Sequence, residues 1–348
     1  MARVKNLAAK TAKKWFVRIF VSFLTAFVVL TISGLFAMTV FTVPDKPRDE
    51  IFAKYTDDES IFLPAPQRKT IHVKDEGQAD GPVLVLIHGS NASLHSWDMW
   101  TQILKNRYRV IRLDLPGHSV TGPIPSDDYT IAAMADTVRD VLRLMKIDKA
   151  ILVGSSMGGA VSLRLTLDQP DMVQGLILIG SSGLKFDQND TPPLAFRLMN
   201  MPLISNLTRY ITPYNLIRST AQDAYGEGYP VSSQMVDRYY ELLLYAGNRR
   251  ASALRIQQQA QEEALDVQLA NIEKPTLLLW GEEDSFVPVK YGRRMNAYIL
   301  TSTLVTYPNV GHLPMETEPL ITADAADKFI REEILKTSPK SDSSTAVK

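Results

Sequence analysis

The sequence predicts an α/β fold: a mostly parallel, doubly wound sheet with a helical cap insertion, preceded by one N-terminal transmembrane helix. Three observations predict it. Short apolar runs alternate with segments of helical periodicity between residues 69 and 336, which favours a parallel sheet. A long insertion interrupts the alternation at residues 183–269, and a long uncharged stretch occupies residues 19–43.

Apolar runs bounded by polar turns are the predicted strands of the sheet. They lie near residues 69–73, 83–87, 109–113, 150–153, 175–180, 275–280 and 303–307. The clearest predicted helix is at residues 130–145, where apolar side chains recur every three or four positions. The two parts of the core are therefore residues 69–182 and 270–336. The polar tail at residues 337–348 is predicted to be disordered.

The insertion at residues 183–269 is too long for a simple crossover between two strands, so it is predicted to be a cap domain. Its apolar side chains either pack the cap onto the core or line an acyl-binding tunnel. These apolar side chains form two groups along the insertion: Leu194, Phe196, Leu198, Met199, Met201, Leu203 and Ile204, then Tyr239, Tyr240, Leu242, Leu243, Leu244 and Tyr245.

The run Gly154-Ser155-Ser156-Met157-Gly158 follows the predicted strand at residues 150–153 and precedes a predicted helix. In that position a G-x-S-x-G pattern is typical of a nucleophile elbow, a strained turn that exposes the hydroxyl of its central serine. Ser156 is therefore the candidate nucleophile.

A serine nucleophile needs a histidine base and a carboxylate that orients the base, in the chain order serine, acid, histidine. Asp284 follows the strand near 275–280, and His312 follows the last strand. Loops at the carboxyl ends of parallel strands are where such sheets place catalytic groups. Glu282 and Glu283 stay open as alternative acids.

The oxyanion hole is expected to use the backbone N–H of Met157, directly after the nucleophile, and that of Ser90, in the loop after the strand at 83–87. His88 is interpreted as a hydrogen-bonding residue that braces this loop. The remaining histidines are interpreted as structural or exposed: His72, His95 and His118.

Five motifs now occur in a recognisable order: His88-Gly89-Ser90, Asp114-Leu115-Pro116-Gly117-His118, the Ser156 elbow, the Asp284 loop and Gly311-His312. Over roughly residues 66–335 the chain resembles the α/β-hydrolase superfamily, and in particular its membrane-anchored, monoacylglycerol-lipase-like and bacterial lipase or esterase members. The resemblance implies a serine hydrolase that forms an acyl-enzyme on Ser156. The sequence shows no metal-ligand cluster or phosphate-binding loop, so no cofactor or metal is expected. One departure is Ser119, where many relatives carry a further glycine.

The same machinery also serves carbon–carbon bond hydrolases, amidases and haloperoxidase-like enzymes, and these stay open as alternatives to an esterase or lipase. A binding module displayed on the membrane is the non-enzymatic alternative. A net charge of zero gives no support for nucleic-acid binding. The absence of cysteine from the sequence excludes a cysteine nucleophile and thiolate metal sites.

A basic N-terminus at residues 1–18 precedes the uncharged stretch at 19–43, which at roughly 25 residues is long enough to span a bilayer. The charge distribution predicts a cytoplasmic N-terminus and an extracytoplasmic hydrolase domain, periplasmic in a Gram-negative bacterium. A cleaved signal peptide is the alternative. Residues 44–68, which contain several prolines, are predicted to be a stiff linker. A tethered enzyme with an apolar cap predicts a lipid-like or hydrophobic ester substrate.

Overall fold

The computed structural model describes residues 2–67, 69–187, 190 and 210–336. The chain divides into two compact units, one of residues 1–44 with 210–213 and the other of residues 45–209 with 214–348. The predicted tail and the first apolar group of the cap, Leu194 to Ile204, lie outside the described residues.

The first unit contains helix α1, Ala2–Phe41. Its segment Lys13–Gly34 has a mean hydropathy of 2.2 and is long and apolar enough to cross a membrane, by length and composition. The large side chains of this segment are exposed, Phe23 by 74%. The predicted span at residues 19–43 coincides with α1 except at its last two residues.

The second unit is built on one eight-stranded sheet, as the sequence predicts for the fold class. The strands are β1 Ser60–Ala65, β2 Lys69–Gly77, β3 Val83–Ile87, β4 Arg109–Leu113, β5 Ala150–Ser155, β6 Val173–Ile179, β7 Thr276–Gly281 and β8 Ser302–Tyr307. Their order is β1-β2-β4-β3-β5-β6-β7-β8. Strand β2 runs antiparallel to both of its neighbours, and every other pair is parallel. Parallel pairing brings the carboxyl ends of β3, β5, β7 and β8 to one edge.

Helices cover both faces of the sheet. Leu84 and Leu86 of β3 belong to one apolar cluster, whereas Val85 and Ile87 belong to the other. A strand that is buried on both faces needs apolar residues at successive positions, which explains the continuous apolar runs in the sequence. The α-helices of this unit within the described residues are α2 Arg48–Tyr55, α3 Asp98–Leu104, α4 Ile131–Leu144, α5 Met157–Asp168, α6 Tyr214–Tyr225, α7 Ser233–Leu243, α8 Asn248–Gln259, α9 Val289–Tyr298, α10 Pro314–Thr317 and α11 Pro319–Phe329.

The segment at residues 44–68 differs from its prediction as a linker, because it contains α2 and β1. The backbone N–H of Lys46 donates to the carbonyl of Leu244 at 2.8 Å. Ile51 and Tyr55 of α2 are buried against Leu242. These contacts make the segment part of the folded unit, and the sheet begins one strand earlier than the sequence predicts.

Candidate active site

Ser156 lies at the turn between β5 and α5 and has a φ of 52° and a ψ of −117°. Non-glycine residues rarely adopt a positive φ. The flanking glycines allow the backbone to come close: a Cβ at Gly154 would lie 2.3 Å from the carbonyl oxygen of Gly158. A Cβ at Gly158 would lie 2.1 Å from that of Ile87. The sequence forms a strained elbow here because only glycine fits on either side of the serine.

Hydrogen bonds hold the strained peptide of Ser156 from both sides. Its N–H donates to the carbonyl of Ile179 at 2.9 Å. Its carbonyl accepts from the N–H and the hydroxyl of Ser182, at 3.0 and 3.1 Å. Strain of this kind persists only where the surroundings over-determine the conformation.

His312 and Asp284 are brought together by the loops after β8 and β7. Nδ1 of His312 lies 2.8 Å from Oδ2 of the buried Asp284. The other carboxylate oxygen accepts from the backbone N–H groups of Phe286 and Val287, at 2.9 and 2.8 Å. A neutral imidazole that donates its Nδ1–H to such a carboxylate carries its lone pair on Nε2. Of the three adjacent carboxylates, Asp284 makes this contact, whereas Glu282 and Glu283 are exposed.

Close packing fixes the histidine and its partner. Gly180 has a φ of +49°, and a Cβ there would lie 3.0 Å from Nδ1 of His312 and 3.1 Å from Oδ2 of Asp284. The ring of Phe286 stacks on the imidazole with a centroid separation of 5.1 Å. The backbone N–H of His312 donates to the carbonyl of Ala224, the penultimate residue of α6, at 2.7 Å. Core and cap therefore both hold the imidazole.

The loop after β3 passes beside the nucleophile. A Cβ at Gly89 would lie 3.8 Å from the Ser156 hydroxyl oxygen. Among the residues that the structure describes, the N–H groups of Ser90 and Met157 donate to no protein acceptor. Met157 is also the first residue of α5, where backbone N–H groups favour negative charge. The two predicted donors thus belong to backbone beside Ser156.

Two buried histidines brace these loops. Nδ1 of His88 lies 2.7 Å from the carbonyl oxygen of Gly89, and the N–H of Leu115 donates to its Nε2 at 3.0 Å. Nδ1 of His118 lies 2.9 Å from the carbonyl oxygen of Pro116. Burial lowers the pKa of both imidazoles, so they stay neutral near pH 7. Their ring nitrogens are occupied by these structural contacts.

A second serine–histidine–aspartate chain joins the β1–β2 hairpin to the rest of the core. Nε2 of His72 lies 2.9 Å from Oγ of Ser60, and its Nδ1 lies 2.8 Å from Oδ2 of Asp114. The other oxygen of Asp114 accepts from the N–H of Leu94 at 2.8 Å. Ser60 stands at the start of a regular strand instead of at an elbow. We interpret this chain as a structural connection.

A cavity of about 1420 Å³ lies over Ser156. Its walls combine apolar side chains with charged ones: Ile131, Met157, Ala160, Leu184, Phe186, Ile256, Leu265, Val267, Phe286 and Val287, then Arg164, Lys185, Asp187, Glu262, Glu263, Asp266 and Arg294. The second apolar group predicted for the cap, Tyr239 to Tyr245, lies on and just after α7 and does not line this cavity. Ile256 of α8 is the large apolar wall residue from the described cap helices.

Two charged residues that sequence reasoning missed lie beside this site. Glu316 accepts hydrogen bonds from the hydroxyls of Tyr225 and Tyr239 and from Arg238, at 2.8, 2.7 and 2.8 Å. Its position four residues after His312 was the available signal. Arg255 of α8 is completely buried, and its helix has no sequence pattern that predicts this.

No group of three or more potential metal ligands occurs within residues 2–67, 69–187, 190 and 210–336.

Comparison with known families agrees with this geometry. The family model for the alpha/beta hydrolase fold matches residues 82–319. The chain belongs to the α/β-hydrolase superfamily. The predicted superfamily is thereby confirmed, and with it a hydrolase as the general kind of enzyme.

Relatives in this superfamily have several activities. The chain is 27% identical over 261 residues to the uncharacterized hydrolase YugF of Bacillus subtilis, covering 71% of this chain and 89% of the relative. It is 28% identical over 253 residues to 2-hydroxy-6-oxo-6-phenylhexa-2,4-dienoate hydrolase of Burkholderia cepacia, covering 70% and 84%. This second relative is named for an activity other than ester cleavage.

Solved structures show the same fold at lower identity. One is a membrane phospholipase A described as a bacterial virulence factor, with a TM-score of 0.69 and 24% identity over 89% of this chain and 97% of that one. Another is a thermophilic esterase from Thermogutta terrifontis, with a TM-score of 0.68 and 23% identity over 78% and 98%.

Proposed function

We propose that this hydrolase cleaves carboxylic esters through a Ser156–His312–Asp284 triad. The observation that carries the proposal is the strained serine elbow, which stands beside two unused backbone N–H groups and shares a sheet edge with a histidine–aspartate pair. A serine needs these partners to attack a carbonyl at neutral pH.

Each group has one role in the proposed reaction. His312 Nε2 removes the proton of the Ser156 hydroxyl as its oxygen attacks the ester carbonyl. The N–H groups of Ser90 and Met157 stabilise the oxyanion of the tetrahedral intermediate. His312 then protonates the departing alcohol, and an acyl-enzyme remains. Water, deprotonated by the same imidazole, releases the acid, while Asp284 keeps the ring in its productive tautomer.

The proposed substrate is a hydrophobic or lipid-like ester. The cavity over Ser156 has apolar side chains from core and cap, and a buried methylene contributes about 0.8 kcal/mol. The helix at Lys13–Gly34 supports attachment to a membrane, where such esters occur. We propose a cytoplasmic N-terminus and an extracytoplasmic catalytic domain, because basic residues precede the span and mixed charges follow it.

The test is hydrolysis of p-nitrophenyl esters from acetate to palmitate by the full-length protein in detergent. We expect a preference for medium or long chains and loss of nearly all turnover in Ser156→Ala. Ser155→Ala is the matched control, because the hydroxyl of this neighbouring serine is buried and makes no hydrogen bond to the described residues. Turnover that survives Ser156→Ala would exclude the proposed nucleophile.

The relative from Burkholderia cepacia supports a second candidate, cleavage of a carbon–carbon bond in a 2-hydroxy-6-oxo-dienoate. The same preparation separates the two. A protein that reacts with a fluorophosphonate at Ser156, leaves all esters intact and consumes such a dienoate would be a carbon–carbon bond hydrolase. A protein that is folded and unreactive towards the fluorophosphonate would favour a binding module.

A further inference from the structure

Arg255 is a fully buried cation in the cap helix α8. Its Nη2 donates to Oγ of Ser90 at 2.8 Å and to Oδ1 of Asn91 at 2.7 Å. Its Nη1 donates to Nε2 of His118 at 2.8 Å. Within the part of the chain that the structure describes, no carboxylate lies within ion-pair distance of this guanidinium, and its Nε makes no hydrogen bond.

An arginine of this kind is costly to keep. Removing a charge from water is unfavourable, and among the described residues no opposite charge offsets this cost for Arg255. Burial accordingly lowers the pKa of Arg255 to about 9, so the group is charged near pH 7. Groups perturbed by desolvation in a cleft are concentrated at functional sites.

The contacts of Arg255 converge on the loop that passes the nucleophile. Gly89, at the start of this loop, would place a Cβ 3.8 Å from the Ser156 hydroxyl oxygen. Asn91 has a φ of 56°, and its side-chain oxygen accepts from both Arg255 and Ser252 of α8. Ser90, between them, lines the same cavity as Ser156. The guanidinium therefore sets the conformation of the peptide that carries the Ser90 N–H.

We propose that Arg255 is a positioning residue for the oxyanion hole: it holds the Ser90 N–H towards the reacting carbonyl and places a positive charge behind it. This inference rests on the proposed ester hydrolysis. Negative charge develops on the carbonyl oxygen in the transition state and is absent from the bound ester. A fixed donor and a fixed charge at low dielectric consequently stabilise the transition state more than the ground state. Arg255 should therefore affect kcat strongly and KM little.

The test compares full-length Arg255→Met with the wild type in detergent. Three quantities are measured: kcat, KM and the rate constant for fluorophosphonate labelling of Ser156. We expect kcat and the labelling rate to fall by roughly 10- to 100-fold, somewhat less than the loss of an oxyanion donor itself, with KM changed by less than about threefold. Arg250→Met is the matched control, since Arg250 lies on the same helix, is half exposed and pairs with Asp127 at the surface. Its three constants should match those of the wild type.

Two further variants separate positioning from simple packing. Arg255→Lys retains the charge and should recover part of kcat. If Arg255→Met does not fold, Arg255→Gln, which is neutral and polar, decides: a loss of at least about tenfold in kcat at constant KM supports the inference. Wild-type kcat in a folded Arg255→Gln or Arg255→Met protein overturns it, as does a loss carried entirely by KM.

The outcomes also distinguish this inference from the function on which it rests. If the wild type hydrolyses esters and the Arg255 variants have the same kcat and labelling rate, only the role of Arg255 is overturned. Wild-type protein that neither turns over esters nor reacts with the fluorophosphonate at Ser156 overturns the proposed function, and the role of Arg255 falls with it.

Discussion

At the scale of single residues, the candidate site contains backbone conformations with positive φ, which residues with a side chain rarely adopt. Ser156 and Asn91 have φ values of 52° and 56°, and Gly180 has one of 49°. Ser156 is held by hydrogen bonds to β6 and to Ser182, and the Asn91 side-chain oxygen accepts a hydrogen bond from Arg255. A positive φ at a serine is strained, and backbone strain that persists under such contacts is typical of functional sites.

Gly180→Ala should lower ester turnover sharply. A methyl group there would approach Nδ1 of His312 to 3.0 Å and Oδ2 of Asp284 to 3.1 Å, and the positive φ would add strain. A displacement near 1 Å in a reacting group can cost roughly 100-fold, and we expect a loss of that order in kcat. Gly228→Ala is the control, because the nearest atom to its Cβ would be 3.7 Å away. Equal kcat values for the two variants would contradict the role of the His312–Asp284 pair.

Asp114 should make the folded state sensitive to acid. Burial alone would raise the pKa of this carboxyl, but the hydrogen bond and charge of His72 lower it to about 2. Since an unfolded aspartate has a pKa of about 3.9, the ionised form contributes stability that is present above about pH 4 and lost as pH falls through about 2.

We therefore expect Asp114→Asn to be less stable than the wild type at pH 7, by on the order of 2 kcal/mol, and this difference to shrink between about pH 4 and pH 2. Urea unfolding followed by tryptophan fluorescence across this range measures both curves. A difference that stays constant with pH would show that Asp114 is not held ionised by His72.

At the scale of elements, the cap is attached to the loop that carries His312 and to the short helix α10 that follows it. The Glu316 carboxylate accepts hydrogen bonds from Tyr225 of α6 and from Arg238 and Tyr239 of α7. Burial and the carboxylate raise the pKa of both tyrosines above the usual range, so their hydroxyls stay protonated and donate. The N–H of His312 bonds the end of α6 directly. A displacement of the cap would therefore reach the imidazole.

Glu316→Gln should destabilise the protein by about 3 kcal/mol, because removing one member of a buried pair leaves the other charge, on Arg238, uncompensated. The double variant Glu316→Gln with Arg238→Met should be less destabilised than Glu316→Gln alone. Asp168→Asn breaks the half-exposed pair with Arg164 and is the control, with an expected loss below about 1 kcal/mol. Denaturant unfolding measures the loss of stability in each of the three variants. A double variant that is less stable than Glu316→Gln alone would contradict the pairing.

The sheet was largely predictable, because strands buried on both faces are continuous apolar runs. Strand β1 was missed: only its last residue is buried, and it contains Pro64, which is tolerated at a sheet edge. Ser156, Asp284 and His312 were identifiable because each follows a strand in a local motif. Arg255 was not, since a charged residue in a helix ordinarily faces water and its partners come from distant loops.

At the scale of the whole molecule, the chain that follows helix α1 is tied to the cap. Asp45 pairs with Arg249 at 2.6 Å, and Glu241 of α7 accepts from Lys54 and Tyr55 at 2.6 and 2.7 Å. The prolines that predicted a stiff linker instead include Pro47, which precedes the first turn of α2. A tether and a short docked helix have the same sequence pattern here, because the cap residues that hold the helix lie about 200 residues away in the chain.

The proposed topology predicts which parts of the protein a membrane-impermeant maleimide can reach. The chain has no cysteine, so a single introduced thiol is the only reactive one. Leu300, which is 88% exposed, lies in the proposed extracytoplasmic domain. Ala8 lies in the basic segment that should stay in the cytoplasm, since positive charge before a span favours that side.

In cells whose outer envelope is permeable to the reagent, Leu300→Cys should be labelled before lysis and Ala8→Cys only afterwards. The reverse pattern would invert the topology, and labelling of Leu300→Cys in a soluble fraction free of α1 would indicate a cleaved signal peptide.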